Sequence, residues 1–249
     1  MNLDSEITFI EHLKELKNRI IFSAIFFFLC FVFCYFFIEN IYQFLLQPFA
    51  SNFPENSLQR LIYTNPAEIF ITYLRLALTS SLLMSCPIFI TQIYLFLSPA
   101  LYKNEKRALL LIFFFAPLLF LLGILFAYYL IVPLALQFFL SFQVPANILE
   151  HQVAIEIEAK VSEYLSFISK LLFGFGIAFE FPVFLLILIK FKILSVAKLR
   201  KTRKYWIIFI FVISAVLTPP DVISQISLAI PMIFMFEIAL LIAGKIHKK

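Results

Sequence analysis

Glu180 stands ten residues from Lys170 and ten from Lys190, the sole charge in the apolar stretch between them. If that stretch crosses a membrane as a helix, its carboxyl sits near mid-bilayer. An ionisable group there costs at least about 2.5 kcal/mol and turns toward a bundle interior or a wet cavity. Pro182, two residues on, has no amide proton and frees the carbonyl of Ala178, so a kink is expected beside the acid. Acid and kink together offer polar contact inside a membrane, where water or a passing segment could satisfy them.

Three other groups could do chemistry. Thr8-Phe9-Ile10-Glu11 fits a capping box at a helix start, and a helix from there puts Glu11 and Glu15 on one face with Arg19 a turn later. Two readings stay open: a solvated face with a Glu15–Arg19 pair worth about 0.2–0.5 kcal/mol, or an acidic ridge at the cytoplasmic surface. The connection Ser98-Pro99-Ala100-Leu101-Tyr102-Lys103-Asn104-Glu105-Lys106-Arg107 carries Glu105 as its only acid, which alone reads as charge balance. Thr218-Pro219-Pro220-Asp221 forces a tight turn, because proline fixes its own φ and disfavours helix in the residue before it. Asp221 can then cap the helix that follows. Thr218 and Gln225 are polar groups flanking that turn, suited to interhelical hydrogen bonds.

Catalytic chemistry is not supplied. His12, His151 and His247 lie far apart, and Cys30, Cys34 and Cys86 fall within apolar stretches without metal-ligand spacing. There is no phosphate-binding loop; Gly174-Phe175-Gly176 is the nearest glycine motif, and no serine sits in a nucleophile elbow. No histidine accompanies the serines of the apolar stretches to act as base. The expectation is a protein that is not an enzyme, with no metal and no cofactor.

The elements that must hold these residues follow from composition. Of 249 residues 63% are hydrophobic, against roughly 45–50% in a soluble domain, which excludes a soluble enzyme. Cutting at charges and turns, with about 20 residues needed per crossing, gives one membrane domain, 1–249. Its spans are residues 20–38, 76–97, 108–132, 171–189, 206–218 and 222–243. Pro133 is taken as the end of the third, within the uncharged run 108–149; the fifth is short at 13 residues. Pro87, Pro117 and Pro231 interrupt other spans, so several helices should be kinked and arranged around a concave surface. Basic residues cluster before the first span, between the second and third, between the fourth and fifth, and after the sixth. Sixteen stand there against Arg60, Arg75, Lys160 and Lys170 on the other side. Cytoplasmic loops retain Lys and Arg, so both termini should be inside. Net charge +5 is thus a topology signal, and no nucleic-acid partner is implied. Basic residues before the first span imitate a signal peptide, but no small-residue cleavage site follows, so it is expected to stay as a span.

Residues 12–19 (His-Leu-Lys-Glu-Leu-Lys-Asn-Arg), Phe96-Leu97-Ser98-Pro99 through Arg107, Phe126-Ala127-Tyr128, Phe179-Glu180-Phe181-Pro182 and Leu217-Thr218-Pro219-Pro220-Asp221 together resemble the TatC family, the six-span subunit of the twin-arginine protein translocase. The resemblance covers essentially the whole chain in order. It implies a receptor that binds twin-arginine signal peptides of folded cargo and nucleates translocation driven by the proton-motive force. Glu15 and Glu105 match the family's signal-binding acids, with Phe96, Lys17 and Arg19 beside them. Pro48, Pro87, Pro99, Tyr128, Glu180, Pro182, Pro219, Pro220 and Asp221 match other motif positions. Thr218 and Gln225 match the docking site for single-span amphipathic-helix partners of the TatA and TatB type. Lys17 departs from the arginine of many members, which removes a planar bidentate fork. The implied setting is an oligomeric complex in a bacterial inner membrane, an organellar inner membrane being the other that fits. Against this stands a proton- or ion-coupled small-solute transporter, which would account for Glu180 but should show repeats and broken helices in both halves.

Overall fold

The structure is a computed structural model, which describes residues 3–51, 61–97, 103–142, 160–191, 193–218 and 221–246. In a hydrocarbon solvent each segment must satisfy its own backbone groups, and a helix does this internally. The described residues accordingly fold into helices: α1 (Leu3–Phe36), α2 (Ile38–Ser51), α3 (Pro66–Leu97), α4 (Lys103–Phe126), a π-helical turn (Ala127–Ile131), α5 (Val132–Leu140), α6 (Val161–Phe179), α7 (Phe181–Lys190), α8 (Val196–Lys201), α9 (Arg203–Leu217) and α10 (Val222–Ile246). Large apolar side chains face outward along them, such as Ile20, Ile25, Phe28 and Leu29 on α1 and Phe234 and Leu241 on α10. In water that surface would be costly, and in lipid it is matched. Five helical units are long and apolar enough to cross a membrane. The α9 helix, outside those five, has 15 residues, about 22 Å, against a core of about 30 Å.

Two local expectations change. Thr8 does not start a helix, because α1 already runs from Leu3. Nor does the third helix end at Val132. Pro133 falls in the first turn of α5, where a missing amide proton is tolerated, and the π turn before it absorbs the bend, with Val132 N–H bonding Ala127 O. Residues 155–158, read as alternating, lie outside the described residues; next to them Lys160 makes a single parallel bridge to Ile62.

The α6 helix is the centre of the packing, touching α3, α4, α9 and α10, with Ile168, Leu171 and Phe175 fully buried. Glycines set how close its neighbours come. A Cβ on Gly123 of α4 would stand 2.6 Å from Phe175 O, and one on Gly176 would stand 2.7 Å from the Phe120 ring. On the far side a Cβ at Gly174 would meet Leu217 O of α9 at 2.8 Å. The backbones of α4, α6 and α9 therefore approach as only small residues allow. At one flank α1 packs mainly along α3, and at the other α10 packs on α7 and α9.

Pro48 lies inside α2 and cannot donate to Phe44 O four residues back. Tyr128, in the π turn, supplies the donor: its hydroxyl bonds Phe44 O at 2.6 Å and its ring stacks on Phe44 at 4.3 Å. Tyr164 of α6 adds a second hydroxyl, to Leu45 O at 2.9 Å. Tyr42 stands 3.4 Å from Tyr63, hydroxyl to hydroxyl; burial first, then that contact, pushes its phenol up from the usual range. Pro48 and Tyr128, motif residues far apart in sequence, thus form with Tyr164 one clamp on α2. Tyr128→Phe should lower stability to unfolding in detergent by about 1 kcal/mol, and by less in a Pro48→Ala background, whose new amide can serve the same carbonyl. Equal losses in both backgrounds would show that the hydroxyl does not serve Phe44.

Candidate functional site

The end of α1 nearest the N-terminus meets the C-terminal end of α3. Spacing of four residues brings Arg19 back over Glu15, and both its Nε, at 3.1 Å, and its Nη2, at 2.5 Å, donate to Glu15 Oε1. The third arm of the fork, Nη1, crosses to α3 and donates to Gln92 Oε1 at 3.2 Å. His12, one turn before Glu15, places Nδ1 3.7 Å from Glu15 Oε2 and stacks its ring on Phe96 at 4.3 Å and 13°. One connected line results, Phe96–His12–Glu15–Arg19–Gln92, joining two helices through an acid and a cation. Glu11, Lys14, Asn18 and Phe22 extend the groove along α1. The carboxylate here is oriented by an internal guanidinium through charge-assisted hydrogen bonds.

Of the residues expected at this site, the structure joins Glu15, Arg19 and Phe96. Lys17, two residues from Glu15 and so about 200° around the helix, is exposed and outside the cluster. Glu105 takes a place in the first turn of α4, with its side chain outside the described part, as are Pro99, Pro219 and Pro220. His12 and Gln92 were not singled out by sequence. The signal available was spacing: Gln92 lies one turn before Phe96, and His12 one turn before Glu15.

Glu180 occupies the break between α6 and α7. Its N–H bonds Ile177 O at 3.0 Å, a tightened last turn, and its carbonyl accepts from Phe184 N at 3.0 Å, a new first turn, while buried Pro182 sits where no donor is needed. The carboxyl points toward α4 and the backbone of Phe120, with Cys86 of α3 nearby. Among the described residues its Oε1 is buried with no hydrogen-bond partner. The close approach of α4 and α6 through Gly123 and Gly176 is what brings an acid to that backbone. Pro87 lies in α3, a turn before Thr91, whose hydroxyl donates to Pro87 O at 2.8 Å.

A model of the family described as Sec-independent protein translocase protein (TatC) matches residues 11–231. The chain belongs to the TatC family. It is similar to the Sec-independent protein translocase protein TatC of Rickettsia prowazekii, 39% identical over 96% of this chain and 94% of the relative. It is also similar to that of Magnetococcus marinus, 40% identical over 100% of this chain and 89% of the relative. A crystal structure of the twin-arginine translocase receptor TatC superimposes with TM-score 0.77 at 34% identity, over 96% of this chain and 100% of that one. As a TatC protein the chain is an all-helical integral membrane protein and a core subunit of a protein translocase, which works with other translocase components and is not an enzyme. The solute-carrier alternative falls with that assignment.

At the α9–α10 junction Asp221 caps α10 as expected, Oδ1 accepting from Ser224 N at 2.7 Å. Thr218 is buried and donates to Ser214 O at 2.8 Å, while Gln225 Nε2 donates to Phe211 O at 3.3 Å. Both partner-docking candidates are thus engaged within the TatC chain, and Asp221 Oδ2 and Ser224 Oγ are the buried polar atoms of this junction with no partner among the described residues. An unforeseen ion pair, Arg203 Nε to Glu237 Oε1 at 2.6 Å, links α9 to α10. If the ring stack fastens α1 to α3, a double-mutant cycle of His12→Ala and Phe96→Ala on unfolding in detergent should give a coupling of about 0.5–1.5 kcal/mol. Additive losses would mean the rings are merely adjacent.

Proposed function

We propose that this TatC protein is the twin-arginine signal receptor of its translocase, with Glu15 and Glu105 pairing with the two guanidinium groups of the incoming signal. The observation that carries the reading is the Glu15 carboxylate, already held by a guanidinium at the junction of α1 and α3. An acid that accepts one forked cation can exchange it for another of the same shape, which lysine cannot match. Phe96, fixed by His12, offers an apolar wall beside it. Arg19 orients Glu15, and Lys17 supplies charge outside the pair.

The wider arrangement follows from the division of basic residues: a single domain of six spans, the short α9 included, with both termini cytoplasmic. Signal recognition then lies at the cytoplasmic face of a bacterial inner membrane, the proton-motive force drives export of folded cargo, and Glu180 faces a wet concavity used after signal binding. The short α9 falls about 8 Å below the core thickness, a mismatch that association with another helix relieves. Single-span subunits of the TatA and TatB type dock there, with Thr218 and Gln225 turning from their internal carbonyls to a polar group on the partner. The motif positions Pro48, Pro87, Pro99, Tyr128, Pro182, Pro219, Pro220 and Asp221 shape the scaffold.

Binding of a fluorescent signal peptide to the purified protein tests the receptor. Glu15→Gln and Glu105→Gln should each weaken an arginine-pair signal more than a lysine-pair control, and salt should weaken the arginine-pair complex. Equal losses for both peptides would reduce the acids to charge balance. In an export assay Glu180→Ala should leave insertion and signal binding intact while export falls, and Glu180→Gln should be milder because it keeps hydrogen bonding. Full export by Glu180→Ala would remove the acid from the mechanism.

A further inference from the structure

Two cations lie near the α2-side ends of two membrane-crossing helical units, Pro66–Ile93 and Val161–Lys190. Arg75 of α3 and Lys170 of α6 line one groove between these helices, with a cavity of about 250 Å³. Neither makes an ion pair or side-chain hydrogen bond among the described residues. The acids nearest along each helix do not reach them: Glu68 is taken by Thr64 and Ser162, and Glu163 is seven residues, about 10 Å, from Lys170. The same groove is lined by the hydroxyls of Thr72, Ser166 and Ser169 and, further into the helices, by apolar Leu82 and Phe173.

Depth identifies what such a groove would hold. The α3 helix has 32 residues and the joined α6–α7 unit 30, about 48 and 45 Å, so upright and centred they overhang a core of about 30 Å by about 8 Å at each end. Arg75 and Lys170 are each nine residues inside their helices, about 14 Å, which sets their Cα atoms about 6 Å below the hydrocarbon surface. Long cationic side chains at that depth reach up to the headgroup layer. We propose that this groove binds the phosphate of one anionic glycerophospholipid in the α2-side leaflet, Arg75 and Lys170 gripping the phosphate, the hydroxyls donating beside them, and an acyl chain lying against Leu82 and Phe173. A guanidinium, an ammonium and hydroxyls converging at phosphate depth over an apolar floor match a lipid's order of groups from head to tail. The site lies apart from the Glu15 cluster, on other ends of the helices, and does not rest on signal recognition.

Native mass spectrometry of the detergent-purified full chain, titrated with phosphatidylglycerol or phosphatidylcholine, reads the site. The unaltered chain should retain phosphatidylglycerol in preference, and Arg75→Gln combined with Lys170→Gln should lower that retention roughly thirty-fold, the attraction of two surface cations. Arg75→Lys with Lys170→Arg, which exchanges the cations, should keep most of it and shows that the neutral variant has not merely unfolded. Equal retention of both lipids, or unchanged selectivity after neutralisation, overturns the proposal. Displacement of phosphatidylglycerol by inorganic phosphate would assign the cations to a free anion. A photocrosslinker at Ser166 that captures polypeptide instead of lipid, in phosphatidylcholine vesicles containing phosphatidylglycerol, would assign the groove to a protein segment. Either result overturns the lipid assignment.

Discussion

Every carbonyl inside this protein needs a donor, because lipid provides none, and proline is where the helix stops providing its own. The chain places proline at Pro48, Pro87, Pro117, Pro133, Pro182 and Pro231 within helical segments, and its shape follows from how each freed or displaced carbonyl is handled. At Pro48 the answer is tertiary: Tyr128 crosses from another helix to Phe44 O, which fixes α2 against the third span. At Pro133 the answer is a wider turn, and the helix continues with its axis shifted. At Pro182 the helix ends and begins again, leaving Glu180 at the seam. One constraint thus yields a clamp, a bulge and a break.

Close packing sets the second level. With no hydrophobic drive between helices in lipid, association depends on backbone approach, and α6 spends two of the chain's four glycines on it, Gly174 toward α9 and Gly176 toward α4. Gly123 makes the same approach from α4. This explains why Glu180 reaches the Phe120 backbone: the acid is one turn beyond Gly176, on the helix that α4 approaches most closely. A larger residue at either glycine would move the acid as well as the helices.

Features that depend on a few adjacent residues were legible in the sequence. The break at Glu180 and Pro182, the Asp221 cap and the short α9 all follow from local chemistry, since a proline, a cap and a length act where they stand. The Thr8 box misled for the same reason, because a capping pattern within a stretch that is already helical has no bare amides to satisfy. What sequence could not reveal are partners chosen by lateral packing. Arg19 and Gln92 are 73 residues apart, and Tyr128 and Phe44 are 84 apart. Polar residues on facing helices could be paired in many registers, and only the packed structure selects one. The Glu15–Arg19 pair could be read from its spacing of four, whereas the crossing of the same guanidinium to Gln92 belongs to the fold.

That pairing bears on how a receptor of this kind could distinguish its ligand. A Glu15–Arg19 pair one turn apart on a half-exposed helix is weak, so in the proposed receptor an arriving guanidinium would displace it at small cost. Arg19 would not then be stranded, because Gln92 keeps an acceptor on its outer nitrogen. The carboxylate meanwhile stays near His12, at 3.7 Å, so its orientation survives the change of partner. An exchange of like for like favours a ligand that reproduces the fork, and a lysine ammonium would give up the second of the two bonds that Arg19 makes to the same oxygen. Under the proposed receptor reading, selectivity for arginine would arise because Glu15 already holds one, which the ligand would have to replace on equal geometric terms.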